Sequence, residues 1–264
     1  AHAHAYGERD VEDPALYQTV VYREKAIEQI ERAARLRKPL YLTVAGIAPH
    51  FEGQPRGDSL PPRAEPRYRD VFKDEPLPQD PSFNEADTTD KPAFMQAFYT
   101  PFDDAATAAI TTRYRGELDS LLSVDDSVAA IVGALRRTRQ LHNTYVIFTS
   151  DNGYFHGEHR IPKTKYWPYD PAARVPLLVR GPGIPRGKTS REMVSNVDLA
   201  ATIARITGAR PSRPLDGRSL LPFARRPARR TSRPQLFNAL RGEGGGAGGN
   251  PANPQRFAPG YDAI

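Results

Sequence analysis

Hydrophobic positions along the chain fall into a few regular patterns separated by polar, proline-rich stretches. From Tyr22 to Arg37, Ala26, Ile27, Ile30, Ala33 and Ala34 recur at three- and four-residue spacing with Arg, Glu and Lys between them. That spacing predicts an amphipathic helix, stopped by Pro39. Leu40 to Ala45 is a continuous apolar run, read as a core strand that ends at Gly46-Ile47-Ala48-Pro49-His50. From Phe51 to Thr100 periodicity is lost among Pro61, Pro62, Pro66, Pro76, Pro78 and Pro81, and the stretch reads as a surface excursion that shapes a cleft. Between Asp103 and Leu141, Leu118, Leu121, Leu122, Asp125, Val128, Ile131, Val132 and Leu135 follow helical spacing, which makes them the expected apolar stripe of a long helix. Asp125 and Asp126 read as a capping or solvated pair on its flank rather than as catalytic acids.

After a short turn at His142-Asn143, Tyr145 to Phe148 is β-branched and aromatic enough for a buried strand, and it runs into Thr149-Ser150-Asp151-Asn152-Gly153, which is turn chemistry. A second strand is expected at Val175 to Val179 and a helix at Val194 to Ile206, closed by Gly208. This alternation of helix, turn and strand indicates an α/β fold with a mainly parallel sheet flanked by helices. Residues 1–223 form the expected main domain. Residues 224–264, with the glycine-rich run Gly242 to Gly249, read as a linker and the opening of a small, incomplete C-terminal domain.

Composition narrows the chemistry. The chain has 264 residues, 39% hydrophobic and 26% charged, enough for one large α/β domain. It contains no cysteine, which excludes disulfides, thiolate metal sites and a cysteine nucleophile from this chain. Its net charge is +6, but the excess sits largely in loops and in the arginines between Arg225 and Arg233, without the aromatic interleaving of a nucleic-acid surface. No apolar run is long enough to span a membrane, and the first residues lack the basic start and apolar core of a signal peptide.

Asp151 and Asn152 stand at the carboxyl end of a predicted strand, the edge where ligands collect in open α/β sheets, and together they offer hard oxygen donors for Ca²⁺ or Mg²⁺. Taken alone, Asp-Asn-Gly reads as a turn. His156, Glu158, His159, Lys163 and Lys165 follow closely. Imidazoles can bind metal or move protons, and lysines counter the charge of a phosphate or sulfate. His50 also lies just past a predicted strand. Gly-x-Ser-x-Gly is absent, as are a Walker loop and a dinucleotide fingerprint.

These residues resemble the second half of a type I sulfatase, nearest the glycan-directed branch with the N-acetylglucosamine-6-sulfatases. The likeness rests on T-S-D-N-G, on G-E-H, and on the lysine ten residues ahead of V-P-L-L-V-R-G-P-G-I. K-P-L-Y-L-T-V-A-G-I-A-P-H, Y-R-G-E-L-D-S-L-L-S-V-D-D-S-V and V-S-N-V-D-L-A-A-T-I-A-R-I-T-G extend it in order. The resemblance implies an alkaline-phosphatase-like sandwich that hydrolyses sulfate monoesters of a glycan or aryl substrate at a Ca²⁺ site, Ca²⁺ ahead of Mg²⁺. It implies metal ligation by Asp151 and Asn152, sulfate binding by Lys165, and contact of His50 with the sulfate or leaving-group oxygen. For His159 and Glu158 it leaves a substrate-pocket or structural role, and Lys163 reads as solvated.

Family members also carry paired aspartates and C-x-P-S-R, whose cysteine becomes formylglycine; here both are missing. The chain is therefore expected to be a fragment or truncated derivative, with formylglycine in an absent N-terminal part and no sulfate turnover of its own. The parent is expected to be secreted or periplasmic. Two alternatives stay open: a non-catalytic module that binds anionic glycans, favoured by the absent cysteine, and a metal-dependent phosphodiesterase or phosphonate hydrolase of the same superfold.

Overall fold

The computed structural model describes residues 13–53, 59–165 and 167–231. Residues 1–12, the glycine-rich run and the expected opening of the C-terminal domain lie outside the described residues. In chain order the elements are α1 (Gln18–Leu36), β1 (Glu52–Gly53), β2 (Ser59–Leu60), α2 (Ala93–Phe98), α3 (Asp104–Arg137), β3 (Val146–Thr149), α4 (Asp170–Ala173), β4 (Leu177–Arg180), α5 (Asp198–Thr207) and α6 (Leu221–Arg225). They divide into two compact units. The first comprises Ala1–Ala86, Pro101–His142 and His156–Pro162; the second comprises Asp87–Thr100, Asn143–Phe155 and Lys163–Ile264.

In the first unit α1 packs on α3. The apolar spacing of α1 places Val20, Ala26, Ile30 and Ala33 in the core. It ends where Arg37 turns left-handed (φ 51°) and its N–H reaches back to Ala33 and Ala34, one residue before Lys38-Pro39. The start of α3 is capped by Asp103, whose carboxylate accepts from the N–H of Ala106 at 2.8 Å.

The buried face of α3 is not the one its leucine spacing predicts. Ile110, Ser120, Ser123, Ser127, Ala134 and Leu135 are buried, whereas Leu121 and Val128 are exposed. The reason lies in the proline-rich excursion, which lies on the serine face through polar contacts. Ser123 Oγ donates to the buried carboxylate of Glu65 at 2.8 Å, and Asp119 accepts from the N–H groups of Asp70 and Phe72, each at 2.9 Å. Asp126 is likewise engaged, accepting from Tyr68 Oη and from Arg67 Nη2 at 2.6 Å, while Asp125 is exposed. Small side chains let that segment's backbone come close, and paired polar groups offset the cost of burial.

In the second unit β3 and β4 pair antiparallel, with Val146 opposite Arg180 and Thr149 opposite Leu177. This corrects the expected parallel pairing for these strands. A four-residue apolar strand carries no information about its neighbour's direction, which is set by whichever strand docks beside it. Leu40 to Ala45, expected as a core strand, belongs to no ladder among the described residues and is exposed throughout. The core of this unit gathers Met95, Tyr99, Phe155, Trp167, Ala172, Leu220, Leu221 and Phe223. Helix α5 is pinned by Asp198, whose fully buried carboxylate accepts from the N–H groups of Ser195 (3.0 Å) and Arg218 (2.8 Å). Thr202 Oγ1, one turn on, accepts from the N–H of Leu220 at 2.8 Å. Gly208, at φ 72°, closes the helix as its sequence position predicts.

Candidate functional site

The carboxyl end of β3 owes its shape to one glycine. A Cβ on Gly153 would stand 2.0 Å from the carbonyl oxygen of Pro171, so only glycine lets its N–H reach the carbonyl of Ala172 at 2.8 Å. That contact seats the strand end against α4. Ser150 Oγ donates to the carbonyl of Asn152 at 2.8 Å, and Asn196 Nδ2 lies 3.4 Å from the carbonyls of both Ser150 and Asp151. The turn is therefore held largely through its backbone carbonyls, and the oxygens of Asp151 and Asn152 lie outside most of those contacts. Asp151 is exposed, and its carboxylate accepts among the described residues only from Ser150 Oγ, at 3.4 Å. Asn152 donates from Nδ2 to the carbonyl of Gly153 at 2.9 Å, which leaves Oδ1 as an acceptor.

Two adjacent hard oxygen donors suit Ca²⁺ or Mg²⁺ in kind. They are fewer than the six or so ligands such ions take. No cluster of three or more His, Cys, Asp or Glu side chains placed to hold a metal occurs among the described residues. Asp151 and Asn152 thus fit part of a coordination shell.

Lys165, in the same unit, sits between two buried anchors. On one side Thr164 is buried and its carbonyl accepts from the N–H of Phe155 at 3.0 Å. On the other, buried Trp167 donates from Nε1 to Tyr99 Oη at 2.9 Å, and burial pushes the Tyr99 hydroxyl pKa up, keeping it neutral. Lys165 itself is half-buried, and its ammonium has no ion pair or hydrogen bond among the described residues. Lys163 is exposed. An open depression beside the carboxyl end of α5, lined by Arg205, Pro214, Leu215 and their neighbours, includes none of the predicted site residues.

In the first unit, His50 follows a turn closed by its own N–H to the carbonyl of Ile47 at 2.7 Å. Its ring stacks on Phe51 at 4.3 Å, and Nδ1 lies 2.8 Å from the Phe51 carbonyl. Because a carbonyl only accepts, Nδ1 carries the proton and Nε2 is the nitrogen whose protonation can change.

The histidine loop 156–162 is also in this unit and is held at several points. His156 Nε2 meets Glu117 at 2.5 Å and its ring lies edge-on to Tyr114; His159 Nδ1 meets Glu85 at 2.8 Å. Arg160 donates to the carbonyls of Glu85 (2.8 Å) and Ala86 (2.6 Å), and Phe83 bridges to Glu158. Gly157, at φ 113° with the Phe83 ring against it, leaves no room for a side chain. His159 and Arg160 both hold left-handed φ angles, 55° and 59°, which cost of order 1 kcal/mol or more each and persist only where contacts enforce them. Arg113, buried, donates from Nη1 to the Pro162 carbonyl at 2.9 Å, while its Nε has no partner among the described residues.

Asp151, Asn152 and Lys165 therefore belong to the second unit, and His50 and His159 to the first. Sequence reasoning missed Glu85, Arg113 and Glu117, which stand on elements far from the loop they hold. Their only signal was a charged pair, Arg113 and Glu117, spaced one turn apart on α3.

A family model described as Sulfatase matches residues 3–209. An arylsulfatase of Volvox carteri is 37% identical over 212 residues, 74% of this chain and 32% of its own length. The human N-acetylglucosamine-6-sulfatase is 36% identical over 208 residues, 78% of this chain and 36% of its own. The chain thus spans about a third of the length of these curated relatives. Among solved structures, BT4656 in complex with its substrate D-glucosamine-2-N,6-O-disulfate superposes with a TM-score of 0.64 at 22% identity, covering 83% of this chain and 54% of that one. A phosphonate monoester hydrolase from Silicibacter pomeroyi gives 0.61 at 21% identity, covering 85% and 44%. Both likenesses bear on fold, and they make the fold α/β of the alkaline-phosphatase-like type.

Proposed function

The chain belongs to the sulfatase family, and on that premise we propose that it carries the cation- and sulfate-binding part of a sulfuric ester hydrolase acting on a sulfated glycan or aryl sulfate. The observation that carries the reading is the strand end after β3, where Asp151 and Asn152 present oxygens that the surrounding contacts leave available. In this reading Asp151 and Asn152 supply two ligands of a Ca²⁺ ion, and the ion, when bound, offsets charge on the sulfate oxygens. Lys165 contributes a second positive charge to those oxygens, at a backbone position fixed by Thr164 and Trp167. His50, its Nδ1 committed to the Phe51 carbonyl, delivers a proton from Nε2 to the departing alcohol. His159, oriented by Glu85, contacts the sugar.

The sugar class rests on the human relative's name and on the disulfated glucosamine bound by BT4656. The chain lacks C-x-P-S-R, whose cysteine becomes formylglycine in the family, so in this reading the chain alone binds and does not turn over. The same absence favours, as second reading, a module that binds anionic glycans without hydrolysing them.

Calcium titration of the chain by calorimetry, with Asp151→Ala as control, tests the metal assignment. Sulfate release from glucosamine 6-sulfate and from 4-nitrophenyl sulfate tests the rest. Saturable Ca²⁺ binding lost in Asp151→Ala, with no release, is the expected result. Release that Lys165→Ala abolishes would overturn the inactivity of the isolated chain, and Ca²⁺ binding unaffected by Asp151→Ala would overturn the metal site.

A further inference from the structure

Thr164 holds an unusual backbone at a conspicuous place. Among the described residues other than glycine, Arg37, Asp70, Asn84, Arg139, His159 and Arg160 have positive φ between 45° and 61°, close to the left-handed helical well. Thr164 has φ 152°. That value is far from the well, in a region that suits glycine, and a β-branched side chain is the least tolerant of it. Such a conformation persists only where its surroundings enforce it. Here they do: Thr164 is 4% exposed, and its carbonyl accepts from the N–H of fully buried Phe155 at 3.0 Å.

The effect of this backbone shows in the two lysines beside it. In a regular extended chain residues 163 and 165 share a face opposite to residue 164, so a buried Thr164 would leave both lysines equally in water. They are not equal. Lys163 is exposed, whereas Lys165 is half-buried, with no ion pair or hydrogen bond from its ammonium among the described residues. The backbone at Thr164 breaks the alternation and takes Lys165 off the solvent face that Lys163 occupies. Drawing an ammonium partly out of water with no carboxylate beside it is unfavourable, and so is the φ of the residue before it. Two local costs thus fall on adjacent residues, and neither stabilises the fold.

We infer that Thr164 is a positioning residue for Lys165. Its strained backbone, locked by burial and by the Phe155 N–H, separates one directed ammonium from the solvated one two residues earlier, so that Lys165 alone meets the sulfate. The inference rests on sulfate binding by Lys165. A glycine would adopt φ 152° without strain but would leave it as readily, and the buried threonine side chain removes those alternatives. Stability and function therefore pull in opposite directions at this residue.

The test uses the full chain, with inorganic sulfate as the probe. Thr164→Gly and Thr164→Ala both remove the branched side chain, so the difference between them isolates the backbone. At an ordinary φ the alanine variant is the more stable of the two; at a strained one the order reverses. Urea unfolding followed by fluorescence of Trp167, the chain's single tryptophan, should give Thr164→Gly the higher midpoint. Sulfate titration followed by the amide shifts of residues 163–165, at constant ionic strength, should show Lys165→Ala weakened about tenfold and Lys163→Ala less than about twofold. Thr164→Gly should bind sulfate about threefold or more weakly than wild type, because the competent orientation of Lys165 is then only partly populated. A midpoint for Thr164→Ala at or above that of Thr164→Gly would mark an unstrained residue and overturn the inference. Wild-type affinity in Thr164→Gly, with Lys165→Ala weakened, would overturn the positioning role and leave Lys165 its sulfate. Equal binding by wild type and Lys165→Ala would instead overturn the sulfate role of Lys165, and the positioning role with it.

Discussion

Glu192 holds Thr231 by both of its donors: Oε2 accepts from the Thr231 N–H at 2.9 Å, and Oε1 accepts from its hydroxyl. Arg218 adds an ion pair to Oε1 at 2.9 Å, and its guanidinium lies over the Phe223 ring at 5.1 Å. One carboxylate therefore ties the last described residues to the segment after α5. The Thr231 hydroxyl in the first place, together with its N–H and the nearby guanidinium, holds the Glu192 carboxyl below its ordinary pKa.

That direction fixes a pH dependence. A carboxyl depressed by folding contributes stability that is fully present above its unfolded pKa, about 4.3, and is lost as pH falls below it toward the folded value. The melting temperature of the wild type should exceed that of Glu192→Gln by a constant margin between neutrality and about pH 5, and the margin should shrink as the pH is lowered further. Thermal melts across that range check it; a margin that grows on acidification would contradict the assignment.

Asp198→Ala should be among the most destabilising substitutions in the second unit. It removes a fully buried carboxylate and leaves the part-buried N–H groups of Ser195 and Arg218 without their acceptor, at a cost of roughly 2–4 kcal/mol. Thr202→Val, which takes the acceptor from the Leu220 N–H and the hydroxyl donor from the Asp198 carbonyl, should cost about 1–2 kcal/mol. Urea unfolding of the two variants gives the comparison.

Gly153→Ala should disturb the strand end without touching a polar side chain. The added methyl meets backbone, which cannot swing away as a flexible side chain would, so a loss of roughly 1–3 kcal/mol is expected. Chemical denaturation measures that loss. Calcium titration should show weaker binding, because Asp151 and Asn152 ride on the displaced turn.

In a protein that holds the complete site, Lys165→Ala should lower kcat/KM for a sulfate ester by about a hundredfold or more, as expected when a fixed charge facing a transferring group is removed. Lys163→Ala, exposed two residues earlier, should change it by less than about threefold. Steady-state kinetics on the two variants separates a directed charge from a general one.

The elements were legible in the sequence wherever one periodicity ran long enough. Helix α3 spans thirty-four residues and contains the stretch Leu118 to Leu135 where helical spacing was read, starting well before it, and β3 lies one residue from its expected place. Which face of α3 is buried was not legible. Leucine spacing pointed to Leu121 and Val128, but the serines at 120, 123 and 127 are buried because the partner segment brings carboxylates and backbone N–H groups instead of apolar surface. Strand direction was illegible for a related reason, since β3 and β4 each carry the same apolar pattern whichever way they pair. Asp151 and Asn152 stood out because they sit in the turn that ends a strand, and a lysine near them needed no tertiary knowledge to notice. Glu85, Arg113 and Glu117 act on residues about forty to seventy-five positions away, and no local pattern records such distances.

The zipper between residues 82–86 and the histidine loop has a kinetic consequence. Phe83 pairs with Glu158, His159 donates its N–H to Ser82 and Arg160 reaches Ala86, so the loop's shape depends on a segment more than seventy residues earlier in the chain. Bringing such distant stretches together carries a loop-closure entropy that local turns do not. The loop is therefore expected to acquire its left-handed backbone after α3 has formed, so that hydrogen exchange at an amide there in a refolding experiment would report completion of the first unit.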